Sequence, residues 1–199
     1  MLRFIFLFLF LSHFTFAADT LFVKVHFVYG SKPKARFKKI EHKQFGGIHG
    51  GHVYLEFNNK IISYGTNNGK WHVFPHKSKN AGKYRVDKDL NWHGDTGKLK
   101  ITSIVIPITK LQLDKLKEKE QIYFSETPYD YAFIGMRCAA GAYDMLCQGD
   151  VCKPMPRSRM VTKYFYPKKL RKRILKRAEK ENWQVYKQEG RDTRKWERD

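Results

Sequence analysis

The sequence predicts an α+β fold, with an antiparallel sheet in the first part of the chain and helices in the last. Short β-prone segments separated by Asn- and Gly-rich turns run from Leu21 to Phe74, and a strongly β-branched segment follows at Leu99 to Ile108. Beyond Thr109 the apolar residues recur at helical spacing. This change from period 2 to period 3.6 orders strands before helices.

The first residues have the layout of an export signal. Arg3 is the positive n-region, Phe4 to Leu11 the apolar h-region, and Thr15-Phe16-Ala17 a small-x-small cleavage site. The apolar run covers about 8 residues where a membrane-crossing helix needs about 20. Cleavage after Ala17 leaves 182 of the 199 residues, the size of one domain with its own core. The expected layout is an export signal at 1–17, a domain at 18–166 and a basic helical tail at 167–199.

Leu21 to Tyr29 alternates and is rich in Val and Phe, so it reads as the first strand, ended by Gly30-Ser31-Lys32-Pro33. A basic, turn-prone connection runs on to Gly47. His52 to Phe57 and Lys60 to Tyr64 are β-prone runs joined by Asn58-Asn59, a two-residue hairpin signal. Trp71 to Phe74, after Asn67-Asn68-Gly69, reads as a third strand of this meander, and residues 76 to 97 as an ordered loop. Leu99 to Ile108 is a further strand. Thr109 opens a helix to about Tyr123, with Leu111, Leu113 and Leu116 on its inner side. Thr127-Pro128 either starts the next helix or forms a turn before a helix beginning nearer Gly135; in the second case Cys138 lies in the first helical turn. Pro167 to about Glu181 is a helix crowded with Lys168, Lys169, Arg171, Lys172, Arg173, Lys176 and Arg177, followed by a polar, frayed end.

The formal net charge is +20. An exported protein of this charge meets anionic lipid headgroups and acidic wall polymers before it meets nucleic acid, so the expected partners are those of the envelope and no nucleic acid is expected. The basic C-terminal helix is the natural surface for such a polymer or lipid, against the plainer reading of a solvated helix packed by Leu170, Ile174 and Leu175. The scattered lysines between Lys32 and Lys43 read as solubilising. Three cysteines are an odd number in a compartment that permits disulfides; Gln-Gly-Asp-Val between Cys147 and Cys152 allows these two to close a small loop. With no Cys-x-x-Cys and no His-Glu-x-x-His, the pattern argues against a zinc ribbon, a thioredoxin-like site or a zincin, and no cofactor or metal is expected. A zinc site from His42, His49 and His52 is the minor alternative.

The chemistry points to two residues far apart in sequence. Cys138 follows Arg137 at a predicted helix start, and small residues, Ala139, Ala140 and Gly141, come directly after it. A helix N-terminus and a neighbouring cation both stabilise a thiolate. His52 opens a strand after Gly50-Gly51, which leave room for substrate or for the Cys138 helix. A thiol and an imidazole are a nucleophile and its base, with backbone amides near Cys138 as oxyanion donors. The competing readings are a small buried apolar cysteine, a histidine that caps a strand and, for His49 with His52, a flexible glycine loop. Asp130 and Asp144 read as a turn residue and a helix-surface residue.

Gly-Gly-His-Val-Tyr-Leu-Glu-Phe followed by Lys-Ile-Ile-Ser-Tyr-Gly resembles the histidine hairpin of the NlpC-type papain-like hydrolases. Thr-Pro-Tyr-Asp-Tyr, then Gly-Met-Arg-Cys-Ala-Ala-Gly, is similar to their cysteine helix. Histidine precedes cysteine by 86 residues, the order of the circularly permuted branch that includes lecithin:retinol acyltransferase and the YiiX-like proteins. The resemblance covers about half of the chain after the export signal. It implies a papain-like sheet packed on the cysteine helix, with Cys138 as nucleophile and His52 as base. The third polar residue falls at Ser63 or Tyr64, where the family often has a histidine or an acid. The implied function is an exported cysteine amidase, peptidase or acyltransferase acting on a wall peptide or lipid in the periplasm, the envelope or outside the cell. The alternative is a catalytically silent basic module that holds an anionic envelope surface.

Overall fold

Alternation of side chains along the strands decides which elements meet. The computed structural model describes residues 21–30, 51–90 and 99–190. The segment read as an export signal, the basic connection with His42, His49 and Gly50, and the last nine residues lie outside the described residues. Six strands, β1 (Phe22–Val28), β2 (His52–Phe57), β3 (Lys60–Thr66), β4 (Gly82–Asp87), β5 (Ile101–Pro107) and β6 (Val185–Gln188), form one sheet in the order β4-β3-β2-β1-β5-β6. Every neighbouring pair is antiparallel. Four helices complete the described fold: α1 (Lys110–Ser125), α2 (Cys138–Gln148), α3 (Arg157–Lys163) and α4 (Pro167–Glu181). The α+β expectation is met.

The β2–β3 hairpin turns on Asn58 and Asn59, whose φ angles of 52° and 57° are the positive values that a tight two-residue turn demands and that Asn tolerates. The expected third strand at Trp71 to Phe74 does not form; His72 makes only an isolated bridge to Ala132. The third strand of the meander is β4 instead, inside the segment read as loop. Its register pairs Tyr64 with Tyr84 and Ser63 with Arg85. Lysine, arginine and aspartate on its outward positions hid the period that Tyr84 and Val86 carry.

Strand parity gives the sheet two unlike faces. Val23, Val25, Phe27, Val53, Leu55, Phe57, Ile62, Tyr64, Tyr84, Ile104 and Ile106 make the main core with the helices. On the other face Tyr54 packs with Val28, Leu99 and Ile101 in a smaller cluster. Helix α1 starts at a complete capping box: the Thr109 hydroxyl accepts from Gln112 N–H, and the Gln112 side chain accepts from Thr109 N–H at 2.9 Å. Leu113 and Leu116 are buried as expected, but Leu111 is 65 % exposed, one residue off the inner stripe.

Residues Cys138 to Cys147 of α2 are all buried, which explains a helix of Ala, Gly, Met, Leu and Tyr with no charged face. Helix α4 matches its predicted span. It buries Leu170, Ile174 and Ala178 in the same core, and β6 then extends the sheet along β5. Residues of α4 and β6 therefore pack against the same core and sheet, with β6 in the segment read as frayed. Among the described residues no helix is long and apolar enough to cross a membrane.

Candidate active site

Cys138 is the first residue of α2, the position reached by the second of the two helix starts weighed from the sequence. The first intrahelical bond runs from Gly141 N–H to the Arg137 carbonyl at 2.8 Å, and the Arg137 side chain makes no capping bond. The amides of the first turn thus face outward from the helix end, beside the thiol, with the partial positive charge of the helix terminus. Gly141, one turn on, is where α2 touches the sheet: a Cβ there would lie 2.6 Å from the Tyr64 ring. Tyr84 Oη donates to the Gly141 carbonyl at 2.9 Å. Glycine is required by that approach, and it fixes the height at which Cys138 stands over the sheet.

His52 is the first residue of β2 and is 4 % exposed. Its partner across β1 is Val28, and its ring packs edge-on to Tyr54 at 4.7 Å. Parity puts His52, Tyr54 and Ser63 on the face away from the main core, while Val53 and Tyr64 face α2. Gly51 makes room for the Val28 carbonyl, which a Cβ would overlap, and so serves the β1–β2 approach rather than a substrate.

Arg85 acts on both His52 and the tyrosines near Cys138. Burial first, then the Arg85 guanidinium, lowers the His52 pKa to about 3, so its imidazole is neutral throughout the physiological range. Burial raises the Tyr54 phenol far above its ordinary value, with Asp87 and Cys138 adding to the rise and Arg85 opposing it. Tyr131 is likewise raised by burial and by Cys138, and lowered by Arg137 and Arg85. Burial raises Tyr64 too, with Cys138 among the causes. Cys138 therefore acts on tyrosines of both sheet faces, and it shares Tyr54 and Tyr131 with Arg85, the cation beside His52.

The two third-residue candidates are separated. Ser63 Oγ donates to Asp87 Oδ2 at 2.5 Å, and Arg85 Nε donates to Asp87 Oδ1 at 3.1 Å, a polar chain on the His52 face. Tyr64 lies on the α2 face, among Tyr84, Tyr129 and Tyr131, with ring centroids 5.0 to 5.4 Å away. Sequence reasoning missed Arg85, Asp87 and Tyr131, because a charged strand residue and a loop tyrosine carry no signal without the register.

Asp130, read as a turn residue, and Asp144, read as a helix-surface residue, are both buried. Asp144 is buried and accepts from Tyr123 Oη at 2.9 Å and Tyr129 Oη at 3.2 Å. Asp130 accepts from His72 Nδ1 at 2.5 Å, His76 N–H at 2.8 Å and Ala81 N–H at 2.5 Å, tying the loop after β3 to the approach to α2. None of the three cysteines forms a disulfide; Cys147 Sγ donates to the Lys153 carbonyl at 3.3 Å. Burial raises the Cys147 thiol to about 12. Among the described residues no cluster of three His, Cys, Asp or Glu could hold a metal ion. Compared with family models, curated proteins and solved structures, the chain matches none of them.

Proposed function

We propose that this protein is an exported cysteine-dependent hydrolase or acyltransferase, acting on an amide or ester of a cell-envelope peptide or lipid, with a permuted papain-like arrangement of Cys138 and His52. The observation that carries this reading is the seat of Cys138 at the start of a buried helix packed on a sheet whose second strand opens with His52. The helix terminus and Arg137 favour the thiolate. The Cys138 sulfur attacks the carbonyl carbon, the first-turn amides receive the oxyanion, and the proton passes to the His52 imidazole round the end of the sheet, since His52 opens β2 on the face away from α2. Burial and Arg85 make the imidazolium costly, so the proton moves on to the leaving amine or alcohol. Water or an acceptor amine then releases the acyl group as thiol is restored. Ser63, through Asp87 and Arg85, tunes the field at His52, and Tyr64 sets the height of α2.

The test incubates the protein and its Cys138→Ala variant with purified wall peptides and with phospholipid dispersions, followed by mass spectrometry of products. Cleavage or acyl transfer by the parent protein alone is expected. Equal product, or none, from both proteins overturns the reading.

One observation favours the silent-module alternative: Cys138 and His52 are 3 % and 4 % exposed, while Lys169, Lys172, Arg173, Lys176 and Lys180 of α4 are exposed. That reading predicts adsorption to anionic phospholipid vesicles that weakens as salt rises and is indifferent to Cys138→Ala.

A further inference from the structure

Three neighbouring strands bring a serine, a histidine and a glutamate into one hydrogen-bonded row on the face of the sheet opposite α2. The register sets His26 of β1 beside Ser103 of β5, and Lys24 beside Glu56 of β2. Ser103 Oγ lies 2.7 Å from His26 Nδ1, and His26 Nε2 lies 3.0 Å from Glu56 Oε2. Lys24 Nζ donates to the other Glu56 oxygen at 2.6 Å. The chemistry of the ends fixes the protons. An ionised carboxylate can only accept, so His26 Nε2 carries the hydrogen toward Glu56, and the bare Nδ1 accepts from the Ser103 hydroxyl. Lys24 and His26 both hold the Glu56 carboxyl below its ordinary range despite its partial burial, and burial keeps His26 below its ordinary value, in the neutral form that this tautomer requires.

Ser103, His26 and Lys24 line a cavity of about 660 Å³, with Glu56 behind His26 and outside the lining. Aromatic side chains rim it: Phe22 and Tyr186 are 43 % and 58 % exposed, and Trp183 is half-buried. A hydroxyl whose proton is accepted by an imidazole, itself oriented by a carboxylate, here the partly buried Glu56, is the arrangement that makes a serine nucleophilic, and it is recognised by geometry rather than by sequence order.

We propose that Ser103 is a second nucleophile, activated by His26 and oriented by Glu56, in a pocket that takes a neutral ester with an aromatic or alkyl acyl group. The Ser103 oxygen bonds to the carbonyl carbon, its proton moves to His26 Nδ1 and from there to the leaving alcohol, and water then cleaves the acyl-serine by the reverse proton path. At Ser103 the strand is paired on both sides, with His26 and with Tyr186, so its amide is held in the sheet. Oxyanion donors are therefore side chains of the cavity wall, Lys24, Asn182 and Gln184. The paired charges of Lys24 and Glu56 cancel, which suits a neutral substrate in an otherwise basic protein. None of this depends on Cys138.

An alkyl fluorophosphonate probe tests it. Applied to the folded protein, to Ser103→Ala, to Glu56→Gln and to Cys138→Ala, with peptide mapping, it should modify the tryptic peptide 101–110, in which Ser103 is the single serine. Labelling should vanish in Ser103→Ala, slow by at least about tenfold in Glu56→Gln, which keeps the shape of the row but removes the charge that steadies the imidazolium, and persist in Cys138→Ala. An unmodified peptide 101–110 in the folded protein, or equal labelling rates in the parent and Glu56→Gln, would overturn the proposal and reduce the row to a structural polar ladder.

Discussion

The narrowest tolerances are at single residues under α2. Gly141 rests on Tyr64, which is itself confined by Tyr84, Tyr129 and Tyr131. In an unconstrained helix Gly→Ala stabilises by up to about 1 kcal/mol. Here the added methyl must displace a buried ring, and overpacking of this kind costs about 1–3 kcal/mol. Gly141→Ala should therefore lower the melting temperature in a calorimetric scan; a rise would mean that α2 does not press on Tyr64. Asp130 is a second such point. Burial pushes its carboxyl up, but the amides of Ala81 and His76 and the His72 ring outweigh burial and hold it below its ordinary value. A depressed carboxyl gives stability that is present above the unfolded value near 3.9 and is lost as pH falls through the folded one. Asp130→Asn should cost about 2–3 kcal/mol at neutral pH by urea titration and flatten the decline of stability below about pH 4. Undiminished acid sensitivity in the variant would contradict this. Neither role was legible in the sequence, where Asp130 stands in a Tyr-Asp-Tyr turn and its three donors lie about 50 residues upstream.

Among the elements, those with local signals were readable. The β2–β3 hairpin follows from Asn58-Asn59, α1 from Thr109, and α4 from Pro167 with Leu170 and Ile174. Asn59→Val should cost about 1–2 kcal/mol, because a β-branched residue is strained at φ 57° where Asn is tolerated, and chemical denaturation would register it. An unchanged midpoint would place the hairpin turn elsewhere. Elements held by pairing alone were not readable. β4 is recognised by its register with β3, and the exposed β6 forms because α4 delivers Val185 beside Ile104. The basic helix was found, but its charges are not all presented to solvent. Arg171 is buried with its guanidinium 3.8 Å from the Tyr29 ring centroid, and Arg177 is held by Glu181 and by the Val151 carbonyl.

At the scale of the whole molecule, the order of strands and helices along the chain gave the α+β class. The same order could not reveal that alternate strand positions put His52 on one face and the bed of α2 on the other, because parity becomes meaningful only once the packed face is known. The central claim is that Cys138 is an activated thiol, and its alkylation by iodoacetamide across pH 4 to 10, followed by peptide mapping, tests it most directly. Cys147 and Cys152, whose thiols burial raises, serve as internal references. The account predicts that Cys138 reacts first, with a midpoint well below the reference thiol value of about 8.5, and that Arg137→Gln moves that midpoint upward. A midpoint at or above the reference value in both proteins, or reaction of Cys138 only on unfolding, would contradict it.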